Sequence, residues 1–469
     1  MESRSFKTRF APSPTGLLHL GNIRTALFNY LLAQHAGGTF LLRLEDTDAM
    51  RDHEKYARAL MQDLHWLGLE WHEGPEVGGK QGPYFQSQRD SFYKEYFSAL
   101  QKDKSAYPCF CSERELAIAR KTALAAGLPP RYSGKCRGLS QAEVEARMVN
   151  GDPATLRFRV AEGKRVEFED KVRGPQVFYS DDIGDFVIRR SDGTPAFFFC
   201  NAIDDALMGV TLVVRGEDHL TNTPRQIMLL QTLGLSVPEY AHIAMVVGAD
   251  GAPLSKRTGS KSVEELRIMG YLPSAIHNYL ARLGHTYDAN AFMDLQILAD
   301  NFDISRLHRA PARFDETQMH YWQREAIMHL PSSTIRAWMG EAVKEIVPVD
   351  RLSEFIEAVR GNIAFPIDAL RWAQIVFTDK LTVSRSAQEA ITAAGKNFFD
   401  EARRAVDKHG SDFKAVSDTL KRNLALSGKP LFQPLRAALT GELDGPEMAR
   451  LLPLISADRA RERFSRFAT

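Results

Sequence analysis

The stretch Arg9-Phe10-Ala11-Pro12-Ser13-Pro14-Thr15-Gly16-Leu17-Leu18-His19-Leu20-Gly21-Asn22 constrains the fold more than any other. An extended, apolar-tinged segment (residues 6–11) enters a turn punctuated by Pro and Gly. Apolar residues of helical period follow at Ile23, Ala26, Leu27, Tyr30 and Leu31, until Gly37-Gly38 ends the run. A second apolar run (39–44) closes on Glu45-Asp46. This is one βαβ unit whose loop lies at the carboxyl end of its first strand, where open α/β sheets bind nucleotides. The predicted class is α/β, built on a Rossmann-type parallel sheet.

The loop suits a phosphate chain. Gly16 and Gly21 allow close backbone approach, the helix start offers free N–H groups, and His19 can donate to a phosphate oxygen. The same residues also make an ordinary turn with a capping histidine, so the loop by itself leaves both readings open. A distant segment separates them. Asp250-Gly251-Ala252-Pro253-Leu254-Ser255-Lys256-Arg257-Thr258-Gly259 is a Gly-bounded loop with two adjacent cations. His19-Leu20-Gly21-Asn22 and Leu254-Ser255-Lys256-Arg257 together resemble the two signatures of class I aminoacyl-tRNA synthetases. The flanking APSPTG and RLEDTD, with RGEDH at 215–219, resemble bacterial glutamyl-tRNA synthetases, and the similarity extends to residues 431–445.

That resemblance implies an enzyme that joins L-glutamate to ATP, with Mg²⁺ accompanying the nucleotide, and passes the glutamyl group to the 3′ end of tRNA(Glu). Such a reaction asks mainly for positioning and positive charge around the phosphate chain. His19 and Lys256 carry the implied catalytic roles, and Gly21, Asn22, Asp218 and Arg257 join them at ATP. Lys261 is read as a bystander. Arg9, Ala11, Ser13, Glu45, Phe197, Asn201 and Arg215 fall at the implied glutamate pocket, Arg215 facing the side-chain carboxylate because a guanidinium fork matches it. Three positions depart from the family pattern. Pro253 replaces a lysine, Phe197 replaces a tyrosine whose hydroxyl water or Asn201 would have to supply, and Gly138 stands where a metal ligand is common. Charging of tRNA(Gln) with glutamate therefore stays open as an alternative. An inactive tRNA-binding paralogue is opposed by His19, Lys256 and Arg215, and a short enzyme acting on a modified tRNA base is opposed by chain length.

Three of the four cysteines lie between Cys109 and Cys136, which in a cytoplasmic protein points to metal before disulfide. Cys109, Cys111 and Cys136 supply three sulfurs for Zn²⁺. The spacing of Tyr132 to Cys136 resembles a glutamyl-queuosine branch of the family in which tyrosine completes the site. Buried thiols without metal remain the plain alternative.

The long interval between Asp46 and the next strand of similar type (211–215) exceeds a simple crossover and requires an inserted domain. The expected division is 1–87 and 198–248 for the two catalytic parts, and 88–197 for an acceptor-binding insert. The resemblance implies that 88–197 binds the acceptor end, that 249–320 is a stem-contact domain and that 321–469 is an all-helical anticodon-binding region. Strands are predicted at 154–160, 186–189 and 242–247, and a capped helix start at Asn222-Thr223-Pro224. Arg157, Arg159, Lys164 and Arg165 read as a solvated face before they read as phosphate contacts. Arg459, Arg463 and Arg466 read as the charged outer face of a terminal amphipathic helix. A net charge of +1 decides nothing about RNA binding, because local basic patches suffice. No run reaches membrane-span length and the first residues lack a secretory core, so cytoplasmic residence is expected; the resemblance implies a monomer.

Overall fold

The computed structural model describes residues 5–47, 53–128, 130–254 and 261–468. The chain forms two units: one comprises Met1–Glu265 with His277–Asp315, the other Leu266–Ile276 with Glu316–Thr469.

In the first unit, strand Lys7–Phe10 pairs in parallel with Thr39–Leu42, and helix Leu20–His35 connects them. Leu212–Gly216 pairs in parallel with Glu239–Ile243. The two ladders meet where the Thr211 N–H donates to the Lys7 carbonyl (2.9 Å) and the Lys7 N–H donates to Thr211 Oγ1 (2.8 Å). The strands are buried on both sides, as parallel strands covered by crossover helices must be. Nearly every inward residue of helix Leu20–His35 is buried, Ile23, Ala26, Leu27 and Leu31 among them.

The insert contributes a three-stranded antiparallel sheet, Ala106–Cys109, Thr155–Phe158 and Phe186–Arg189. A hairpin, Arg165–Asp170 with Gly174–Tyr179, runs beside it, and Asp170 pairs in parallel with Tyr240. One strand of the insert is thereby joined to the catalytic sheet. Asp204 makes a further tie: its carboxylate accepts from Arg89 Nε (2.6 Å), Gln86 Nε2 (2.8 Å) and the Tyr93 hydroxyl (2.7 Å), which fixes the start of helix Asp90–Lys102 against helix Phe197–Leu207.

Four sequence expectations need correction. The strand predicted at 242–247 begins at Glu239, breaks after Ile243 and resumes at Val246–Val247. At the break the Ala244 carbonyl turns away to accept from the buried Arg24 guanidinium, which also donates to the Leu283 carbonyl (3.2 Å). Asn222 does not cap helix Thr223–Thr232. It ends a preceding 3₁₀ turn, Glu217–Asn222, in helical conformation (φ −82°, ψ −30°), and its amide meets the His219 ring at 3.2 Å. Arg157 is buried with its guanidinium 3.9 Å from the Tyr132 ring centroid, so it belongs to neither a solvated face nor a phosphate surface. Arg463 is 1% exposed and donates to the carbonyls of Leu439, Ile375 and Thr378.

The second unit is helical among its described residues, with breaks at Pro331, Pro348, Pro366, Gly410 and Gly428 as the sequence indicates. Among the described residues no helix is long and apolar enough to cross a membrane. Helix Lys429–Thr440 ends at Gly441 with φ +75°, where a Cβ would lie 2.1 Å from the Thr382 carbonyl oxygen. Gly441→Ala is expected to destabilise the protein by more than about 1 kcal/mol, because strain at positive φ adds to a backbone clash. Thermal unfolding of the variant against the parent measures it.

Candidate active site

A cavity of about 390 Å³ opens at the carboxyl ends of Lys7–Phe10 and Leu212–Gly216. It brings together Arg9, Ala11, Ser13, His19, Gly21, Asn22, Glu45, Phe197, Asn201, Arg215 and Asp218, every predicted nucleotide- or glutamate-site residue apart from Lys256 and Arg257. Those two lie outside the described residues, but both flanks of their loop are placed. Leu254 lines the cavity and its N–H donates to the Val246 carbonyl (2.9 Å). On the other side Ser262 bridges His19, and the Val263 N–H reaches the Leu18 carbonyl at 3.1 Å. The first signature and the two flanks of the second, far apart in sequence, therefore meet at one mouth.

His19 occupies the N-cap of helix Leu20–His35 in extended conformation, and its N–H meets Asn22 Oδ1 at 3.4 Å. Across the cavity, Gly216 leaves room for the Asp218 carboxylate, since a Cβ there would lie 2.4 Å from Asp218 Oδ1. Glu217 turns the other way, pairing with Arg173 and accepting from the Met245 N–H (3.0 Å).

The floor is a buried network of charges. Asp205 Oδ1 accepts from Arg9 Nε (3.1 Å) and Arg43 Nη1 (2.7 Å), while Arg43 Nη2 reaches Glu45 Oε1 at 3.0 Å. Burial alone would raise the Asp205 pKa; Arg9 and Arg43 outweigh it and hold the group below its usual value. Asn201 donates to Glu45 (2.6 Å) and accepts from Gln226 Nε2 (2.8 Å). Asn201 is thus committed within the network.

Arg215 closes the chain. Its Nη2 donates to Gln226 Oε1 (2.7 Å) and Thr223 Oγ1 (2.8 Å), and its Nε donates to His242 Nε2 (3.2 Å). All these partners are neutral, and buried Nη1 has no acceptor among the described residues. Burial lowers the guanidinium pKa to about 10, so it stays charged at neutral pH. Within the network three arginines face two carboxylates, which leaves one positive charge at Arg215 directed at the cavity. Phe197 packs on the His219 ring (centroids 5.3 Å apart) beside it. Burial and the nearby Arg215 lower the His219 pKa.

Sequence reasoning missed Arg43, Asp205, Gln226, Thr223 and His242. The adjacent Asp204-Asp205 in an otherwise apolar helix was the one local signal available for any of them.

The cysteine cluster lies in the insert. Cys109, Cys111 and Cys136 place their sulfurs within 4.8 Å of one another, Cys111 and Cys136 at 3.7 Å. The Tyr132 hydroxyl sits 3.4 Å from Cys109 Sγ and 3.5 Å from Cys111 Sγ, and accepts from the Cys136 N–H (2.8 Å). A tetrahedral ion with Zn–S near 2.3 Å spaces its ligand atoms about 3.8 Å apart, so these four atoms could hold zinc with small adjustments. Burial raises the Cys109 thiol pKa, but hydrogen bonds from Tyr132 and Arg157 overcome this and bring it to about 7. Burial pushes the Tyr132 phenol up, and only a cation's own charge would ionise it. A separate cavity of about 290 Å³ in the helical unit is lined by Asn362, Asp368, Trp372 and Asp444, with the Arg371–Glu442 ion pair at its rim.

Sequence comparison assigns the class. The model for the catalytic domain of class I tRNA synthetases (E and Q) matches residues 5–321, and an anticodon-binding-domain model matches 318–468. The chain belongs to this family, with a class I catalytic domain followed by a helical anticodon-binding region. It is 58% identical over 463 residues to glutamate–tRNA ligase 2 of Nitrosococcus oceani, covering 99% of this chain and 98% of that one. It is 50% identical over 469 residues to glutamate–tRNA ligase 1 of Halorhodospira halophila, covering 100% and 98%. Its fold is similar to the crystal structure of a glutamate tRNA ligase from Elizabethkingia meningosepticum in complex with its amino acid (TM-score 0.88, 27% identity, 99% of each chain).

Replacing the shared counter-ion is expected to be costly. Asp205→Asn leaves Arg9 and Arg43 buried without it and should lower stability by about 3–5 kcal/mol, read from denaturant unfolding.

Proposed function

We propose that this chain is a glutamate–tRNA ligase, which activates L-glutamate with ATP and Mg²⁺ and transfers it to the 3′ end of tRNA(Glu). The observation that carries the reading is Arg215, a buried cation that lines the cavity, has neutral partners and keeps Nη1 without an acceptor among the described residues. A substrate carboxylate accepts from Nη1, whose hydrogens are not committed to the partners above. Glutamine would leave the cation without a counter-charge, and polar mismatch of this kind discriminates by roughly 10⁴. Glu45, fixed by Arg43 and Asn201, receives the substrate ammonium, while Arg9, Ala11 and Ser13 border the same end of the cavity. In-line attack of the glutamate α-carboxylate on the α-phosphorus of ATP breaks the bond to pyrophosphate. His19 and the helix start at Gly21-Asn22 serve one side of the phosphate chain and Lys256 with Arg257 the other; Asp218 lies at the nucleotide. The tRNA terminal ribose hydroxyl then attacks the activated carbonyl, releasing AMP.

Residues 1–87 and 198–248 carry the catalytic parts, 88–197 hold the tRNA acceptor end, 249–320 contact its stem, and 321–469 read the anticodon. The Trp372 cavity has the aromatic face, guanidinium and carboxylates that an unstacked base requires. Cys109, Cys111, Cys136 and Tyr132 bind one Zn²⁺, which supplies a structural crosslink for the insert. The enzyme works as a cytoplasmic monomer.

The deciding experiment is attachment of radiolabelled glutamate to tRNA(Glu) and tRNA(Gln) transcripts in separate reactions with ATP and Mg²⁺. Charging of tRNA(Glu) is the expected result. Charging of tRNA(Gln) alone would replace the assigned RNA substrate, and charging of neither would remove the activity. Arg215→Gln should reduce kcat/KM for glutamate by at least a hundredfold while the KM for ATP stays within a few-fold; an unchanged glutamate KM and kcat would overturn the pocket. Elemental analysis should find about one zinc per chain, and less than a tenth of that would retire the metal site.

A further inference from the structure

Arg215 is aimed by a buried relay that the reaction scheme above does not use. His242 and Asp170 are both fully enclosed. Asp170 Oδ2 accepts from His242 Nδ1 (2.6 Å), and Asp170 also accepts the N–H groups of Val172 (3.0 Å), Arg173 (2.7 Å) and His242 itself. A carboxylate so pinned fixes the imidazole with its proton on Nδ1. Nε2 is then a lone-pair acceptor, and it faces the Arg215 Nε–H at 3.2 Å and Thr223 Oγ1 at 3.0 Å. The ring lies nearly parallel to Tyr240 (12°, 6.2 Å), which limits its rotation.

We propose that His242, held in one tautomer by Asp170, is the positioning residue that turns the open edge of Arg215 toward the substrate's side-chain carboxylate and so sets selectivity for glutamate over glutamine. The inference rests on the assignment of Arg215 above. Without an acceptor at Nε2, the guanidinium keeps only its Nη2 anchors at Thr223 and Gln226 and can pivot about them. Two hydrogen-bonded corners fix a plane and a direction, whereas one leaves a swing. The charged and titratable groups around His242 are Asp170 on the insert strand, Arg215 on the neighbouring strand, Arg9 on the strand beyond it, Tyr240 on its own strand and His219 beyond Arg215. Burial lowers the imidazole pKa despite Asp170, with Arg215 and Arg9 acting in the same direction. A proton on Nε2 would set one N–H against another, so glutamate affinity holds above that pKa and declines as the pH falls through it.

Steady-state charging with varied glutamate, from pH 5.5 to 8, tests the relay in the full-length enzyme. His242→Phe should raise the glutamate KM about tenfold with the ATP KM unchanged, and should lower the preference for glutamate over glutamine. His242→Gln keeps an acceptor oxygen and should recover most of the loss, while removing the acid-side rise in glutamate KM expected of the parent. A rise under threefold in His242→Phe, or an acid limb that persists in His242→Gln, overturns the proposal. Where His242→Phe does not fold, as judged by circular dichroism, Asp170→Asn takes its place under the same threefold criterion. Loss of glutamate use in Arg215→Gln without a loss in the His242 variants rejects the relay alone. No loss in Arg215→Gln rejects the pocket assignment beneath it.

Discussion

The active site depends on one carboxylate doing duty for two cations. Asp205 is buried between Arg9 and Arg43 and accepts from both, so one carboxylate fixes the position of two guanidinium groups. Arg43 in turn holds Glu45, and through Asn201 and Gln226 the order reaches Arg215. Buried charges of this kind do little for net stability, since their desolvation offsets their attraction. What they provide is a cavity whose polar groups are oriented before any ligand arrives, and reorganisation in the site is correspondingly small.

Much of this architecture is legible in the chain because the controlling signals are local. Pro12, Pro14 and Gly16 break the first strand, the apolar period from Ile23 to Leu31 gives the helix, and Gly37-Gly38 stops it. The helix boundaries in the second unit follow from Pro and Gly for the same reason. Resemblance brought distant motifs together, and Arg9, Glu45, Asn201 and Arg215 do share one cavity. The remainder was hidden because it arises from residues distant in sequence. Nothing near His242 announces Asp170, and nothing near Arg43 announces Asp205. Arg157 and Arg463 were misread because a cation in sequence suggests solvent, whereas each finds an aromatic face or a set of carbonyls inside. Asn222 has the composition of a cap, but the 3₁₀ turn before it assigns the residue helical torsions.

The cysteine cluster illustrates a different limit. Spacing named three sulfurs, and the fold brings them together with the Tyr132 oxygen at distances that suit a tetrahedral ion. Arg157, whose guanidinium lies over the Tyr132 ring, also acidifies Cys109, so a residue that looked like surface charge favours the thiolate. Chemistry at such a site is set as much by what lies behind the ligands as by the ligands themselves.

The hairpin that runs from the insert into the catalytic sheet has a consequence for how such a chain can change over time. An insertion attached only at its two ends is a cassette: it can be exchanged, lengthened or lost while its host continues to fold. Here Asp170 is at once the last pairing residue of an insert strand and the buried partner of a histidine on a catalytic strand. Recombination that replaced the insert would have to bring a carboxylate to that one spot, in that one register. The insert and its host are therefore inherited together, and drift in one is limited by the other.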